Sequence, residues 1–252
     1  MFYPGLGVLF GCVFGGYILQ GGNILIVLEA APMEIVVILG AAVGAMLIGV
    51  PKHIVKKVGS SFGELLKGPV YTKEAYIDLL CLLYQIFKLA QNKGMLALEP
   101  HVEQPEDSKI FSSFPAIQND HHVREFICDY LRMITMGTTN PHQMEDLMNE
   151  EIEVHHDEKH QQVSVFSSMG DGLPALGIVA AVLGVIKTMA SIDQPPAILG
   201  GMIGHALVGT FMGVFLAYGI VGPVALGLGA VYAQDGKFYQ CVKTAIIAYL
   251  NG

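Results

Sequence analysis

The sequence predicts an all-helical, polytopic membrane protein with four transmembrane helices and a helical cytoplasmic insert between spans 2 and 3. Composition is the first observation behind this prediction: the 252 residues are 52% hydrophobic and 14% charged, with a mean hydropathy of +0.51. The second is a set of four apolar runs, the longest of which exceed the roughly 20 residues that cross a bilayer core as a helix. These runs exclude a soluble enzyme.

The first two apolar runs lie within residues 1–51 and contain regularly spaced glycines. The first run extends from Pro4 to Leu25, and the second, from Ile35 to Val50, is expected to begin after Pro32 and Glu34. Glycines four residues apart let membrane helices approach closely, so we expect a tight hairpin with a break at residues 21–23. The glycines concerned are Gly7, Gly11, Gly15, Gly40 and Gly44.

Residues 52–162 form the predicted insert. Eleven of the fourteen Lys and Arg lie between Lys52 and Gly170, and the positive-inside rule therefore places the insert and both chain ends in the cytoplasm. Apolar spacing predicts helices throughout this region. Their expected ranges are Lys73 to Asn92, capped by Thr72 and ended by Gly94; Pro105 to Phe111; His122 to Met136; and a fourth after Pro141 that continues into span 3.

Residues 163–234 hold spans 3 and 4, and residues 235–252 form a cytoplasmic tail. Each span contains a proline, Pro174 or Pro223, which is expected to loosen the carbonyl four residues earlier, at Gly170 or Gly219. Each also has a stripe of small residues at helical spacing. This pattern fits either close helix packing or a narrow path lined by both helices. The stripes are Pro174, Gly177, Ala181, Gly184 and Thr188, and Ala206, Thr210, Gly213 and Ala217.

Charged residues are expected only near the ends of the spans, Glu29 and Glu34 among them. An ion path along the small residues would therefore need a carboxylate from elsewhere, because an ion at membrane depth must be satisfied by a polar group. This pattern predicts a partner subunit whose charged helix lies against the Pro174 and Thr210 faces.

Other candidate sites are weaker. His156 and His160 are one helical turn apart, but without a third ligand they fit a solvated helix better than a zinc site, so no metal is expected. His205 either carries protons within span 4 or lies at the membrane surface. The net charge of −8 argues against nucleic acid, and the four separated cysteines are expected to be free thiols.

Several stretches carry a family resemblance that covers nearly the whole chain. They include GCVFGGYILQGG, YTKEAYIDLLCLLYQIFKLAQNKG, FICDYLRMI, GDGLPALGIVAAVLGVIKTM and GHALVGTFMGVFLAYGIVGP. The chain thereby resembles the MotA family of flagellar stator subunits, within the MotA/TolQ/ExbB proton channel family. The resemblance implies an ion-channel and torque-generating protein of the bacterial inner membrane that is not an enzyme and needs no cofactor.

The resemblance also implies partners. Members of the family form a ring, expected to be a pentamer, around a dimer of MotB, which supplies the ion-binding aspartate and anchors to peptidoglycan. Their cytoplasmic loops engage the rotor protein FliG. An energiser of the ExbB/TolQ type, driving an outer-membrane system, is the alternative; a structural scaffold is a third possibility.

Residue roles follow from the same resemblance. Pro174 and Pro223 match two functional prolines of the family, and Glu99 matches an acid that contacts the rotor. Eight residues before Glu99 the better-studied members carry arginine, whereas this chain has Gln91. The candidates to substitute for that arginine are Lys88 and Lys93, and the expected contact set is completed by Glu103 and Glu150.

The transported ion is predicted from one position. Sodium-type relatives carry threonine seven residues after the third-span proline, whereas this chain has Ala181; Thr210 is present in both types. A desolvated sodium ion needs several oxygen ligands, and the side chain of alanine offers none. The resemblance therefore favours protons, with a sodium-driven stator as the alternative.

Overall fold

Every regular element is helical within residues 2–68, 70–138 and 140–252, the part of the chain that the computed structural model describes. Four of the helices are long and apolar enough to cross a membrane. The chain divides into two compact units. The first, here called the membrane unit, joins the residues up to Lys67 with His160–Gly229. The second, the cytoplasmic unit, joins Gly68–Lys159 with Ala230–Gly252.

The first two spans are α1, Phe2–Leu19, and α2, Ile24–Gly49. The predicted break between them is confirmed: Gly21 has a φ of 80°, and the Asn23 side chain caps α2 by accepting the Leu25 N–H at 3.1 Å. The predicted start of the second span is wrong. Because Asn23 caps the helix, α2 begins eleven residues before Ile35. Pro32 therefore lies inside it, as proline can in a membrane helix.

The glycines of the first two spans do not mediate packing within this chain. A Cβ added at Gly7, Gly11, Gly15, Gly40 or Gly44 would meet no heavy atom within 4 Å. The expected close packing through these glycines is therefore wrong for the single chain. Aromatic rings hold α1 instead, since Phe10 and Phe14 each pack edge-on against Phe215, with ring centroids 5.2 and 5.5 Å apart.

The third and fourth spans belong to two long helices. As predicted, the third continues a helix of the insert without interruption. The fourth contains a π-helical segment, Leu216–Val221, that includes Gly219 and ends two residues before Pro223. This distortion agrees with the prediction that Pro223 loosens the backbone four residues earlier. The complete helices are Pro141–Met189 and Pro196–Asn251, here α9 and α10.

The insert begins with α3, Lys52–Lys67, which belongs to the membrane unit, and continues with α4, Lys73–Lys93. Gly94, with a φ of 84°, ends α4 as predicted. The single helix expected from Pro105 to Phe111 is wrong. Ser108 caps a short helix by accepting the Phe111 N–H, and Pro115 opens another. The short helices are α5, Glu99–Glu103, α6, Lys109–Ser112, and α7, Pro115–Gln118; α8, His121–Thr135, follows close to its predicted range.

The cytoplasmic unit has one continuous apolar core. Leu79 and Leu83 of α4 lie in it, whereas Leu80, expected on the same apolar face, is exposed; the last part of α10 contributes the fully buried Phe238. Phe238 stacks on Tyr71 with ring centroids 4.0 Å apart. The largest fully buried side chains of this core are Leu79, Leu82, Leu83, Ile86, Leu98, Phe111, Ile127, Leu131, Met144, Met148 and Phe238.

Candidate functional site

The small residues of α9 and α10 meet in a very close helix contact. A Cβ added at Gly177 would lie 2.9 Å from the Gly209 carbonyl oxygen and 2.9 Å from the Gly213 Cα. One added at Gly213 would lie 2.7 Å from the Gly177 Cα. Further along, a Cβ at Gly184 would lie 2.7 Å from that of Ala206. These distances leave no room for a side chain, so close packing accounts for the glycines of both stripes.

The remaining small residues border this contact without being covered by it. Ala181 lies directly beside it, because its backbone nitrogen is 3.1 Å from the position of a Cβ at Gly209, the residue before Thr210. Ala181 and Thr210 are both half-buried. Because both side chains are partly exposed, they can line a narrow path beside the packed glycines, as the other interpretation of the stripes predicts.

The two proline regions also lie together. Pro174 is half-buried and Pro223 is exposed. A Cβ at Gly170, four residues before Pro174, would lie 3.5 Å from Val221 Cγ1 and 3.8 Å from the nitrogen of Gly222, which precedes Pro223. The segment that Pro174 is expected to loosen therefore packs on the distorted segment before Pro223. Because these segments are in contact, a bend of α9 near Pro174 would displace α10 near Pro223.

One carboxylate reaches this helix contact. Glu34 lies inside α2, and its Oε2 atom is 2.8 Å from the position of a Cβ at Gly209. The expectation that acidic residues lie only near span ends is thus wrong for α2. It holds for the other two helices over residues 172–186 and 196–234, which contain no Asp, Glu, Lys or Arg. An intramembrane carboxylate beside small residues is a functional candidate by its position alone.

His205 is also paired with an acid of α2. Its Nε2 atom lies 3.8 Å from Glu29 Oε2, and both side chains are partly exposed. His205 is one helical turn from Gly209, and Glu29 is five residues from Glu34. Ionisable side chains therefore continue from the start of α2 towards the small-residue contact.

The predicted rotor-contact residues lie in the cytoplasmic unit and are exposed. Lys93 ends α4 and Glu99 begins α5, so most of the set follows one continuous stretch from Lys88, whose ammonium lies over the Tyr84 ring. Gln91 is exposed on α4, whereas Glu150 lies on α9. Within the described part of the chain, no hydrogen bond or ion pair joins Glu150 to the other five.

Glu103 differs from the rest of the set because it has a strong partner. Arg132 donates from Nε to Glu103 Oε1 at 2.6 Å and from Nη1 to Asp129 Oδ1 at 2.5 Å. Bonds of this kind hold an arginine in a fixed orientation. Glu103 therefore presents a partly neutralised charge, whereas Glu99 keeps its carboxylate exposed.

Tyrosines tie the core of the cytoplasmic unit to charged groups at its edge. The Tyr71 hydroxyl donates to Asp120 Oδ2 at 2.8 Å, and Tyr130 donates to Glu151 Oε2 at 2.7 Å. Burial raises the pKa of both hydroxyls, and the neighbouring carboxylates raise it further, so both remain donors.

Burial also raises the pKa of the Cys128 thiol to about 12. Among the described residues, no group of three or more His, Cys, Asp or Glu is placed to hold a metal ion.

Glu34, which was expected near the end of a span, lies inside α2, and a local feature of the sequence indicates this position. An asparagine directly before an apolar run is a typical helix cap, and Asn23 occupies that position. Counting the helix from Asn23 rather than from Pro32 places Glu34 eleven residues along it, well inside a span. Pro32 does not end the helix, because prolines are common inside membrane helices.

Comparisons with known proteins agree with this architecture. Residues 3–94 match the family model described as Motility protein A N-terminal, and residues 118–233 match that of the MotA/TolQ/ExbB proton channel family. The chain is 43% identical over 245 residues to Motility protein A of Salmonella typhimurium, covering 97% of this chain and 82% of that protein. It is 36% identical to Chemotaxis protein LafT of Vibrio parahaemolyticus, covering 95% and 83%.

A solved structure shows the same fold. The flagellar MotAB stator complex from Bacillus subtilis contains a chain that matches with a TM-score of 0.77 and 26% identity. The match covers 99% of this chain and 89% of that one. The four spans, the insert and the long continuous helices thus recur in a known stator complex.

Proposed function

Because this chain belongs to the MotA/TolQ/ExbB proton channel family and is a stator subunit of the bacterial flagellar motor, we propose that it couples proton flow to rotation together with a MotB-type companion. The ion-conducting role and the multi-pass position in the inner membrane follow from the family and from the four apolar helices. We propose in addition that the ion is a proton, that the companion is of the MotB type and that the chain forms a ring around it.

One observation carries the proposal: the glycines of α9 and α10 pack against each other, while Ala181 and Thr210 stay partly uncovered beside them. Those spans contribute a hydroxyl but no charged group over their central parts. A proton can move with one carboxylate and water, whereas a sodium ion needs several oxygen ligands, and the Ala181 side chain supplies none. The surface therefore fits a companion helix that carries the ion-binding acid.

Glu34 has a place in the same proposal. Its carboxylate lies at the small-residue contact, and the pair of Glu29 with His205 lies nearer the start of α2. With both chain ends in the cytoplasm, the start of α2 faces the other side of the membrane. These groups would then lie between that side and the companion's acid, where they could relay protons.

The companion and the rotor complete the proposed assembly. We take the companion to be a peptidoglycan-anchored MotB dimer surrounded by five copies of this chain. The match of residues 3–94 to the Motility protein A N-terminal family model supports a motor rather than an ExbB/TolQ-type energiser. The exposed stretch from Lys88 to Glu99 would contact FliG, with Lys88 or Lys93 replacing the positive charge that Gln91 lacks. A population shift of the ring, rather than covalent chemistry, would produce the torque.

The choice of ion is tested by motility at varied sodium. A strain without stator genes, supplied with this chain and its companion, should swim at unchanged speed when sodium is replaced by potassium. It should stop when a protonophore collapses the proton gradient. Rotation that ceases on sodium withdrawal would overturn proton coupling.

The gating role of the prolines has its own test. Pro174→Leu restores the backbone N–H next to the Gly170–Gly222 contact and should abolish rotation while the complex still assembles in the membrane. Pro32→Leu, which also removes a proline from inside a membrane helix, is the matched control and should leave swimming intact. Normal swimming of Pro174→Leu would contradict the role of this proline.

A further inference from the structure

The helix that follows span 2, α3, has a buried side that fixes its orientation in the membrane unit. Val58 and Ser61 are buried, and Leu65 is half-buried. Ser61 donates from Oγ to Gln162 Oε1 at 2.6 Å, and Leu65 Cδ1 lies 2.7 Å from the position of a Cβ at Gly227. These contacts define the side of α3 that faces the protein.

The same contacts place α3 along the membrane surface. The helix begins three residues after Gly49, where span 2 ends. Its middle touches Gln162, which directly precedes the apolar run of span 3, and its end touches Gly227, near the end of the apolar run of span 4. All three neighbours are cytoplasmic ends of spans. The helix therefore stays at one depth, that of the cytoplasmic headgroups.

The sides of α3 follow in a fixed order around its axis. Successive residues of an α-helix are rotated by about 100°, which places Val55, Gly59 and Leu66 roughly 110° from the protein side. This apolar edge is partly exposed, with Leu66 40% exposed. An amphipathic helix in the interface turns such an edge towards the acyl chains.

The next side carries a lysine stripe, defined here as Lys52, Lys56 and Lys67. It lies roughly 180° from the protein side, on the far side of the apolar edge. The stripe therefore points away from the protein, along the membrane surface. All three side chains are exposed, and none has an ion-pair partner among the residues that the structure describes. Lys57 and Glu64 occupy a different, more cytosolic part of the polar face.

We propose that the lysine stripe binds the phosphate groups of anionic phospholipids in the cytoplasmic leaflet. Three ammonium groups at headgroup depth match a layer of phosphates that carry net negative charge. A zwitterionic headgroup offers each lysine a phosphate together with a neighbouring positive charge, so its attraction is weaker. Each lysine near an anionic surface strengthens association roughly fivefold, since it contributes on the order of one kilocalorie per mole.

Equilibrium binding of radiolabelled phosphatidylglycerol tests the proposal. The full-length chain, purified with its companion in dodecylmaltoside micelles, should bind this lipid more tightly than radiolabelled phosphatidylcholine. The triple variant K52Q/K56Q/K67Q should bind phosphatidylglycerol at least about fivefold more weakly, the factor that one lysine contributes at its own headgroup. Its affinity for phosphatidylcholine should change little.

Two control variants separate the stripe from general charge effects. K73Q/K88Q/K93Q removes the same charge from α4 in the cytoplasmic unit and should keep wild-type lipid binding. K52R/K56R/K67R keeps the charge and should also retain it. The proposal is overturned if the K52Q/K56Q/K67Q complex binds phosphatidylglycerol like the wild type, as it would if another protein surface covers the stripe. Equal weakening by the α4 variant overturns it as well.

Discussion

The membrane unit and the cytoplasmic unit are stabilised by opposite uses of side-chain size. In the membrane unit, α9 and α10 approach through glycines, and large apolar side chains such as Leu207 and Leu226 are 63% and 78% exposed. In the cytoplasmic unit, Leu79 and Ile127 are fully buried. Lipid solvates apolar side chains, so packing in the membrane depends on close backbone approach. Water does not solvate apolar side chains, so packing outside the membrane depends on burying large apolar side chains.

This difference decides which substitutions each unit tolerates. The membrane unit should be sensitive to added volume at a few glycines and tolerant of changes among its exposed apolar residues. The cytoplasmic unit should be sensitive to lost volume in its core. The difference also has a functional consequence. Ala181 and Thr210 lie beside the close glycine contact, and the other residues of their stripes are small. A companion helix therefore has space to lie against these two residues.

The largest effect is expected from adding volume at the glycine contact. Gly213→Val places branched carbon atoms against the Gly177 Cα and the Leu173 carbonyl oxygen, at 2.7 and 2.8 Å from the new Cβ. Backbone cannot yield as a flexible side chain can, so the helices must separate, at a cost near the upper end of the roughly 1–3 kcal/mol typical of overpacking. We expect swimming to be lost, as measured by ring diameter in soft agar alongside the amount of protein in the membrane.

Gly40→Val is the matched control, because no heavy atom of the chain lies within 4 Å of a Cβ there. It should swim like the wild type. If both variants fail equally, the distinction between packed and unpacked glycines is incorrect.

The second effect tests the other half of the comparison by removing volume. Leu83→Ala should destabilise the cytoplasmic unit by about 2–5 kcal/mol, since it leaves a cavity in a fully buried position. Leu80→Ala, on the exposed side of the same helix, should change stability by less than about 1 kcal/mol. Urea-dependent proteolysis of the purified complex measures both. Equal sensitivity of the two variants would mean that the exposed side of α4 is buried in the assembled ring.

Much of the fold could be predicted because its signals were local. Apolar run length predicted the four spans, Gly94 predicted the end of α4, and apolar spacing from His122 to Met136 predicted α8. The failures were of two kinds. At Pro32 two local signals conflicted, and the Asn23 cap outweighed the proline. At Gly7 and Gly40 a packing pattern was present without a partner in the same chain, and no local signal could reveal that.

The candidate site was predictable in part for the same reason. The stripes and both prolines are periodic features of single helices, so spacing alone found them. The Asn23 cap could have placed Glu34 inside a span, but its contact with Gly209 is long-range and no spacing pattern shows it. The neutralisation of Glu103 by Arg132, 29 residues away, is likewise a tertiary feature.

A smaller effect is expected at this ion pair on the surface of the cytoplasmic unit. Arg132→Gln removes the bonds to Glu103 and Asp129, yet it should destabilise the unit by only about 0.2–1 kcal/mol because the groups are largely solvated. A double-mutant cycle with Glu103→Gln measures the coupling. A coupling well above 1 kcal/mol would show that the pair is shielded from water in the complex, and that surface charges there behave like core groups.

The smallest effect concerns pH and a partly buried histidine at the edge of the same core. Burial lowers the pKa of His101, whose Nδ1 lies 2.7 Å from Ser108 Oγ. The unfolded chain therefore binds a proton more readily, starting near its ordinary pKa of about 6.5. Stability should fall as the pH decreases below that value and level off below the pKa of the folded state. His101→Gln should remove this slope between pH 7 and 5 in urea-dependent proteolysis, while the stability difference between the variant and the wild type should stay constant above pH 7.5. If the dependence of stability on pH persists in His101→Gln, another group causes it, and water reaches this edge of the core.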